Sequence, residues 1–369
     1  MKRSLLKILV LGGLTVWVAL TTSAVHPIDL QTTPTSVPLI TLSGHTDVVT
    51  QLAWSPDGSL LASSAANFDS QDTIVHLWQS DGQAVAALSG HTAPVSSLAW
   101  SPDGTILATG SHDESIKLWQ KDGTLIQTIQ PNAGIVFALA WSPDGATLAS
   151  GSIATPTQNT VQLWDKDGKL LQTMTTEFSG GKFYNLAWSP DGKYLVGGAT
   201  DYSEWKADGT FVFSSGGCSH CTPAWGFAWS PDSQTWAIGN ESGLIWVYTI
   251  EGKEIVQMQS TEGVDKMQWS RDGKWMADSK NLWQVKNGKF VLKNYLKGLR
   301  ALDWSPNSRY IASASANTVY IQQADGKVVV SLKDHADQVA ALAWSPDGNN
   351  LAYAAHDHNI YLWNVADLP

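Results

Sequence analysis

The stretch Gly216-Gly217-Cys218-Ser219-His220-Cys221-Thr222 carries the only two cysteines of the chain, three residues apart with a histidine between them. Thiols at that spacing can close a disulfide, cycle as a redox dithiol, or join His220 in a metal site. In an exported chain the structural disulfide Cys218–Cys221 is the favoured pairing. Thr222 rules out covalent haem attachment, which needs histidine directly after the second cysteine. A second candidate, His356-Asp357-His358, offers two imidazoles, but no further ligand is spaced to complete a zinc set, so a solvated loop is the simpler reading. Asp165-Lys166-Asp167-Gly168 begins like a calcium loop and lacks the later ligands. No G-x-S-x-G, H-E-x-x-H or G-x-G-x-x-G pattern occurs, and no phosphate loop ending in G-K-S or G-K-T. The chain is therefore read as non-catalytic, without metal or cofactor.

These residues stand inside a repeat, which decides what can hold them in place. Trp-Ser-Pro-Asp-Gly or a close variant starts at Trp54, Trp100, Trp141, Trp188, Trp229, Trp269, Trp304 and Trp344, at spacings of 46, 41, 47, 41, 40, 35 and 40 residues. A period near forty predicts one four-stranded propeller blade per unit. In the second unit, 95–100 reads as one strand, Ser-Pro-Asp-Gly as a type I turn with Pro and Asp at its centre, and 106–111 as the next strand. A third strand at 115–119 is rich in Ile, Leu and Trp; Asp122-Gly123 then supplies the positive φ of a tight hairpin, and 124–129 is the fourth strand. The eighth unit lacks that last strand after Trp363. Residues 38–42 match the missing piece and are expected to pair beside 359–363, closing an all-β, eight-bladed ring without exposed edges. A seven-bladed ring, with the short sixth unit displaced, is the alternative.

On these motifs, and on Gly44-His45 and Gly90-His91, residues 38–364 resemble the WD40-repeat propeller family, especially its bacterial members with Ala-Trp-Ser-Pro-Asp-Gly repeats. The resemblance implies a non-catalytic platform for protein binding. It also implies a stabilising network in which histidine, a hydroxyl, aspartate and tryptophan meet. In the second unit these are His91, Thr109 or Ser111, Asp113 and Trp119; in the first, His45, Asp72 and Trp78; in the eighth, His335, Asp357 and Trp363, with Tyr353 and Ala355 in the hydroxyl register. The middle units have Asn132, Ser179, Ser260 and Tyr295 where that histidine would stand, and are expected to lean on apolar packing.

Both turn sets lie on one face of such a ring and are uniform, whereas the loops of the other face vary in length and composition. Variable loops on a rigid scaffold are where binding usually resides. Four residues before each motif tryptophan stand Thr50, Ser96, Phe137, Tyr184, Trp225, Asp265, Arg300 and Ala340. Phe137, Tyr184 and Trp225, with Phe183 and with Asp265 or Arg300 at the rim, are the candidate partner-binding site, since aromatic residues and arginine dominate binding energies. Packing between blades would use the same aromatics. A protein or peptide is the expected partner. A glycan or small molecule stacking on the aromatic patch is the alternative, and an enzyme is disfavoured.

Thirty-three acidic residues against twenty-three basic ones give a net charge of −10 and disfavour nucleic acid as a partner. Lys2, Arg3 and Lys7 precede an apolar run at 8–20, and Thr22-Ser23-Ala24 suits signal-peptidase cleavage. Residues 1–24 are thus expected to be a signal peptide, 25–37 a Thr/Pro-rich tether and 38–369 the propeller of a periplasmic or secreted protein. An uncleaved N-terminal anchor is the alternative, and the only route to membrane contact.

Overall fold

The computed structural model describes residues 39–67, 69–155, 158–175, 185–198, 202–214, 226–298, 301–333, 337–365 and 368. Their strands form eight four-stranded antiparallel sheets, the blades of a β-propeller, with no helix among the described residues. In blade 1 the strands run, from the axis outward, Val49–Trp54, Leu60–Ala65, Val75–Gln79 and Ala84–Leu88. Blade 8 is built from both ends of the ring: Val339–Trp344, Asn350–Ala355 and Ile360–Asn364 are completed by Leu39–Leu42, with Leu39 opposite Trp363 and Leu42 opposite Ile360. The sixth unit, whose shortness raised the seven-bladed alternative, forms its own sheet from Met267–Trp269, Trp275–Asp278, Asn281–Lys286 and Lys289–Tyr295.

The repeated turn closes on its own side chains. The buried Ser55 hydroxyl donates to Asp57 at 2.6 Å and accepts the Leu60 N–H at 2.9 Å, while Asp57 accepts the Ser59 N–H. The same serine-to-carboxylate bond recurs at Ser101–Asp103, Ser142–Asp144 and Ser345–Asp347, and the glycine that follows sits at positive φ. This fixes where each motif tryptophan leaves its strand. The indole N–H of Trp54, Trp100, Trp141, Trp188 and Trp229 then donates, at 3.1–3.2 Å, to the alanine carbonyl just before the motif tryptophan of the preceding blade. Trp54 reaches Ala343 in this way, so the ring is closed by an inner-strand bond as well as by the outer strand.

The core lies between blades rather than in one centre. Leu60, Leu77 and Leu88 of blade 1, for example, pack on Val95, Trp100 and Trp119 of blade 2. The hairpin turns add to these seams: a methyl on Gly123 would lie 2.6 Å from Ala86 of blade 1, and one on Gly252 would lie 2.3 Å from Phe213 of blade 4. Glycine is needed there both for its positive φ and for the close approach of the neighbouring blade.

Candidate functional site

Three features bear on function: the braces beneath the variable loops, the residues at the channel mouth, and the polar groups buried between blades. In blade 1 His45 Nδ1 lies 2.9 Å from Asp72 Oδ2 and Nε2 lies 2.8 Å from Ser63 Oγ, which also accepts the Trp78 indole N–H at 3.0 Å. Blade 2 repeats this with His91, Asp113, Thr109 and Trp119 at 2.8, 2.8 and 2.9 Å. Thr109 is thus the hydroxyl of the network. Ser111 instead donates to the Ala93 and Pro94 carbonyls and pins the loop that carries His91. Burial alone would raise the pKa of Asp72 and of Asp113, but bonds from the histidines and from backbone N–H groups outweigh it, holding Asp72 at about 2 and Asp113 below the usual carboxylate range. The hydroxyl–imidazole–carboxylate order resembles that of a hydrolase, but Ser63 and Thr109 are fully buried and already accept an indole N–H. They therefore brace the loops instead of attacking a substrate.

Ser63 stands nine residues after its motif tryptophan, as Thr109 does, and that register was the signal that identifies it. The register continues with Ser150, which accepts the Trp164 indole at 2.8 Å, and with Asp278 in blade 6. Asp278 is fully buried and accepts the Trp283 indole at 2.8 Å, the Asn281 and Lys280 N–H groups, and the Ser260 hydroxyl. The middle units were expected to lean more on apolar packing; blade 6 adds a buried carboxylate in place of the histidine-centred network. In blade 8 Asp357 accepts the Tyr361 hydroxyl at 2.5 Å, while His335 lies outside the described residues. Trp363 is fully buried there.

At the mouth of the channel, the position four residues before the motif tryptophan falls on a β-bulge in four blades, where the pairing skips Thr50, Ser96, Phe137 and Ala340. A bulge takes its residue out of the ladder and re-aims the side chain. Thr50 accepts the Ala66 N–H, and Ser96 reaches across to the Val136 carbonyl of blade 3. Phe137 is half-buried against His112, ring centres 5.2 Å apart, and burial lowers the pKa of that histidine. Asp265 is exposed, its N–H held by Ser279 at 2.8 Å. Phe183, Tyr184, Trp225 and Arg300, and Cys218 and Cys221, expected to form a disulfide, lie outside the described residues. Among the described residues, no group of three or more His, Cys, Asp or Glu side chains is placed to hold a metal ion.

Two acids lie between blades, Glu204 fully buried and Asp303 half-buried. Glu204 of blade 4 accepts the Trp236 indole of blade 5 at 3.0 Å, and burial pushes its pKa up to about 8. Asp303 replaces the alanine before the motif tryptophan in blade 7 and accepts the Trp344 N–H at 2.7 Å and the Gln268 amide at 2.7 Å; burial raises its pKa to about 6. Neither group is aligned with a nucleophile.

Against known families, the model described as WD domain, G-beta repeat matches residues 36–79, 82–120, 123–165, 289–321 and 326–364, more than half of the chain. Over 118 residues the chain is 31% identical to the anaphase-promoting complex subunit cdc20 of Dictyostelium discoideum, covering 29% of this chain and 23% of that protein. Over 151 residues it is 36% identical to Protein HIRA of Zea mays, covering 36% of this chain and 14% of that protein. The matches thus span less than a quarter of the length of either relative.

Proposed function

Because the chain belongs to the WD40 repeat family, we propose that it is an exported, non-catalytic platform of the Ala-Trp-Ser-Pro-Asp-Gly type whose variable-loop face holds a protein or peptide partner. WD40 propellers are generally scaffolds suited to protein interaction, and one matched relative is by name a subunit of a complex. The observation that carries the choice of face is the bulge at Phe137, which takes an aromatic side chain out of the inner ladder at the channel mouth, above loops braced by His45 and His91. In this reading Phe137, Phe183, Tyr184 and Trp225 form the apolar centre of the contact, with Asp265 and Arg300 at its rim. Residues 1–24 direct export, 25–37 tether the ring, and Cys218 and Cys221 are joined in the oxidising compartment.

The test uses the chain from Val25 as bait against the extracytoplasmic proteins of its source, beside a Phe137→Ala, Tyr184→Ala, Trp225→Ala triple variant. The reading expects a partner held by the parent and lost by the folded variant. Equal capture by both would remove the aromatic register from the interface.

A further inference from the structure

The turn face carries a discontinuity that the repeat does not require. At the other seams the turn glycines rest on the preceding blade. A methyl on Gly104, Gly145, Gly192 or Gly348 would meet the motif proline of the blade before it at 3.4–3.6 Å, and Gly82, Gly123, Gly168, Gly209, Gly252 and Gly326 approach the preceding outer strand still more closely. In blade 6 both contacts are gone: a methyl on Gly273 or on Gly288 would meet nothing within 4 Å. The cause at Gly288 is local. Lys286 pairs with Lys289 across a two-residue turn, with Asn287 and Gly288 both at positive φ, so this hairpin is shorter than the bulged ones of the other blades.

Trp269 is buried, and like Trp304 and Trp344 of the next two blades its indole N–H finds no acceptor among the described residues, whereas the other five motif tryptophans reach the preceding alanine carbonyl. At the variable-face end the seam is shut: Gly226 donates to the Val264 carbonyl, and Val264 donates to that of Asn240. The turns of blade 6 therefore stand off blade 5, and the gap between them opens to the turn face as a wedge.

The wedge holds a cavity of about 490 Å³ walled by Trp269, Phe290, Val285 and Ile255, with a hollow of about 390 Å³ beside it, and Arg271 lines both. Arg271 stands where the other seven turns have proline. Its side chain is exposed, and its charge is felt by Asp303, but no carboxylate lies within the 4 Å of an ion pair among the described residues. Asp232 and Asp272 also line the cavity, but both are already engaged: Asp232 accepts Ser230 and the Gln234 N–H, and Asp272 accepts Ser270 and pairs with Lys274 at 3.1 Å. A hollow of about 520 Å³ also lies between blades 8 and 1, but there Gly58 and Gly82 keep their contacts and no arginine lines it.

We propose that the wedge between blades 5 and 6 is a second binding site, for a small organic acid whose apolar body enters between Trp269 and Ile255 and whose single carboxylate pairs with Arg271. The volume is that of a small-molecule pocket, and an exposed guanidinium beside an apolar cleft selects an anion with a hydrophobic tail. This site is on the face opposite the partner platform and stands or falls independently of it.

The probe is 4-phenylbutyrate, titrated into the whole protein by calorimetry and compared with 4-phenylbutylamine, which has the same body and the opposite charge. The acid is expected to bind, the amine to bind at least about tenfold more weakly, and Arg271→Gln to weaken the acid by about tenfold. Arg271→Pro, which restores the residue of the other turns, gives the same comparison if the glutamine variant is unstable. Ile255→Trp, at a position that is 43% exposed, is expected to fill the mouth and block the acid without disturbing the fold. No binding of the acid at about 10 mM, equal binding of the amine, or unchanged affinity in both Arg271 variants would overturn the site.

Discussion

Glu204 is a fully buried carboxyl whose charge state differs between the folded and the unfolded chain. Its folded pKa, raised to about 8 from 4.5, means that the folded chain holds a proton which the unfolded chain releases. The stability it contributes is complete below pH 4.5 and is lost as pH rises through about 8, at up to ~1.4 kcal/mol per pH unit over that window. Glu204→Gln mimics the protonated form and keeps an acceptor for the Trp236 indole. Urea unfolding at pH 5, 6, 7 and 8 is expected to show a falling midpoint in the parent and a flatter one in the variant, with the curves crossing so that the variant is the more stable at pH 8. Parallel curves would mean that Glu204 is ionised in the fold. Asp72 has the opposite sign: its pKa is lowered from 3.8 to about 2, so its contribution is present above pH 3.8 and fails as pH falls through about 2. The His45–Asp72 and His91–Asp113 pairs were legible because the family resemblance supplied both the residue types and their positions. Glu204 was not, because nothing in a single strand of sequence says that Trp236 of the next blade will cover it.

Among the elements, the hairpin turns are where local sequence and blade packing meet. Gly123 has φ of +92° and its missing methyl would lie 2.6 Å from Ala86, so Gly123→Ala is expected to incur both backbone strain and a clash. Gly288 has φ of +69° and open space around it, so Gly288→Ala meets the strain alone. Left-handed backbone costs ~1–2 kcal/mol for a residue with a Cβ, and overpacking adds ~1–3 kcal/mol. The Gly123 variant should therefore unfold at lower denaturant than the Gly288 variant by ~1 kcal/mol or more. Equal losses would indicate that blade 6 rests on blade 5 as the other blades rest on theirs. The one-residue delay of Asn287-Gly288 relative to the other turns was visible in the sequence. Its consequence, an open seam, was not, since the contact it removes belongs to the neighbouring blade.

For the whole ring, periodicity was enough to place the blades, because each unit repeats the same turn chemistry and only a closed circle gives each blade a partner on both sides. The outer strand of blade 8 was also legible: 38–42 was expected beside 359–363, and Leu39–Leu42 pairs with Ile360–Trp363. The bulges at Thr50, Ser96, Phe137 and Ala340 could not be read, since a bulge is a mismatch between two strands and leaves no mark on either alone. They nonetheless carry the choice of binding face. Hydrogen–deuterium exchange on the ring alone and with its captured partner tests that choice most directly. The account expects new protection in peptides spanning the Phe137 bulge and the loops that carry Asp72 and Asp113, with the Ser-Pro-Asp-Gly turns unchanged. Protection confined to those turns, with the Phe137 segment exchanging as before, would contradict it.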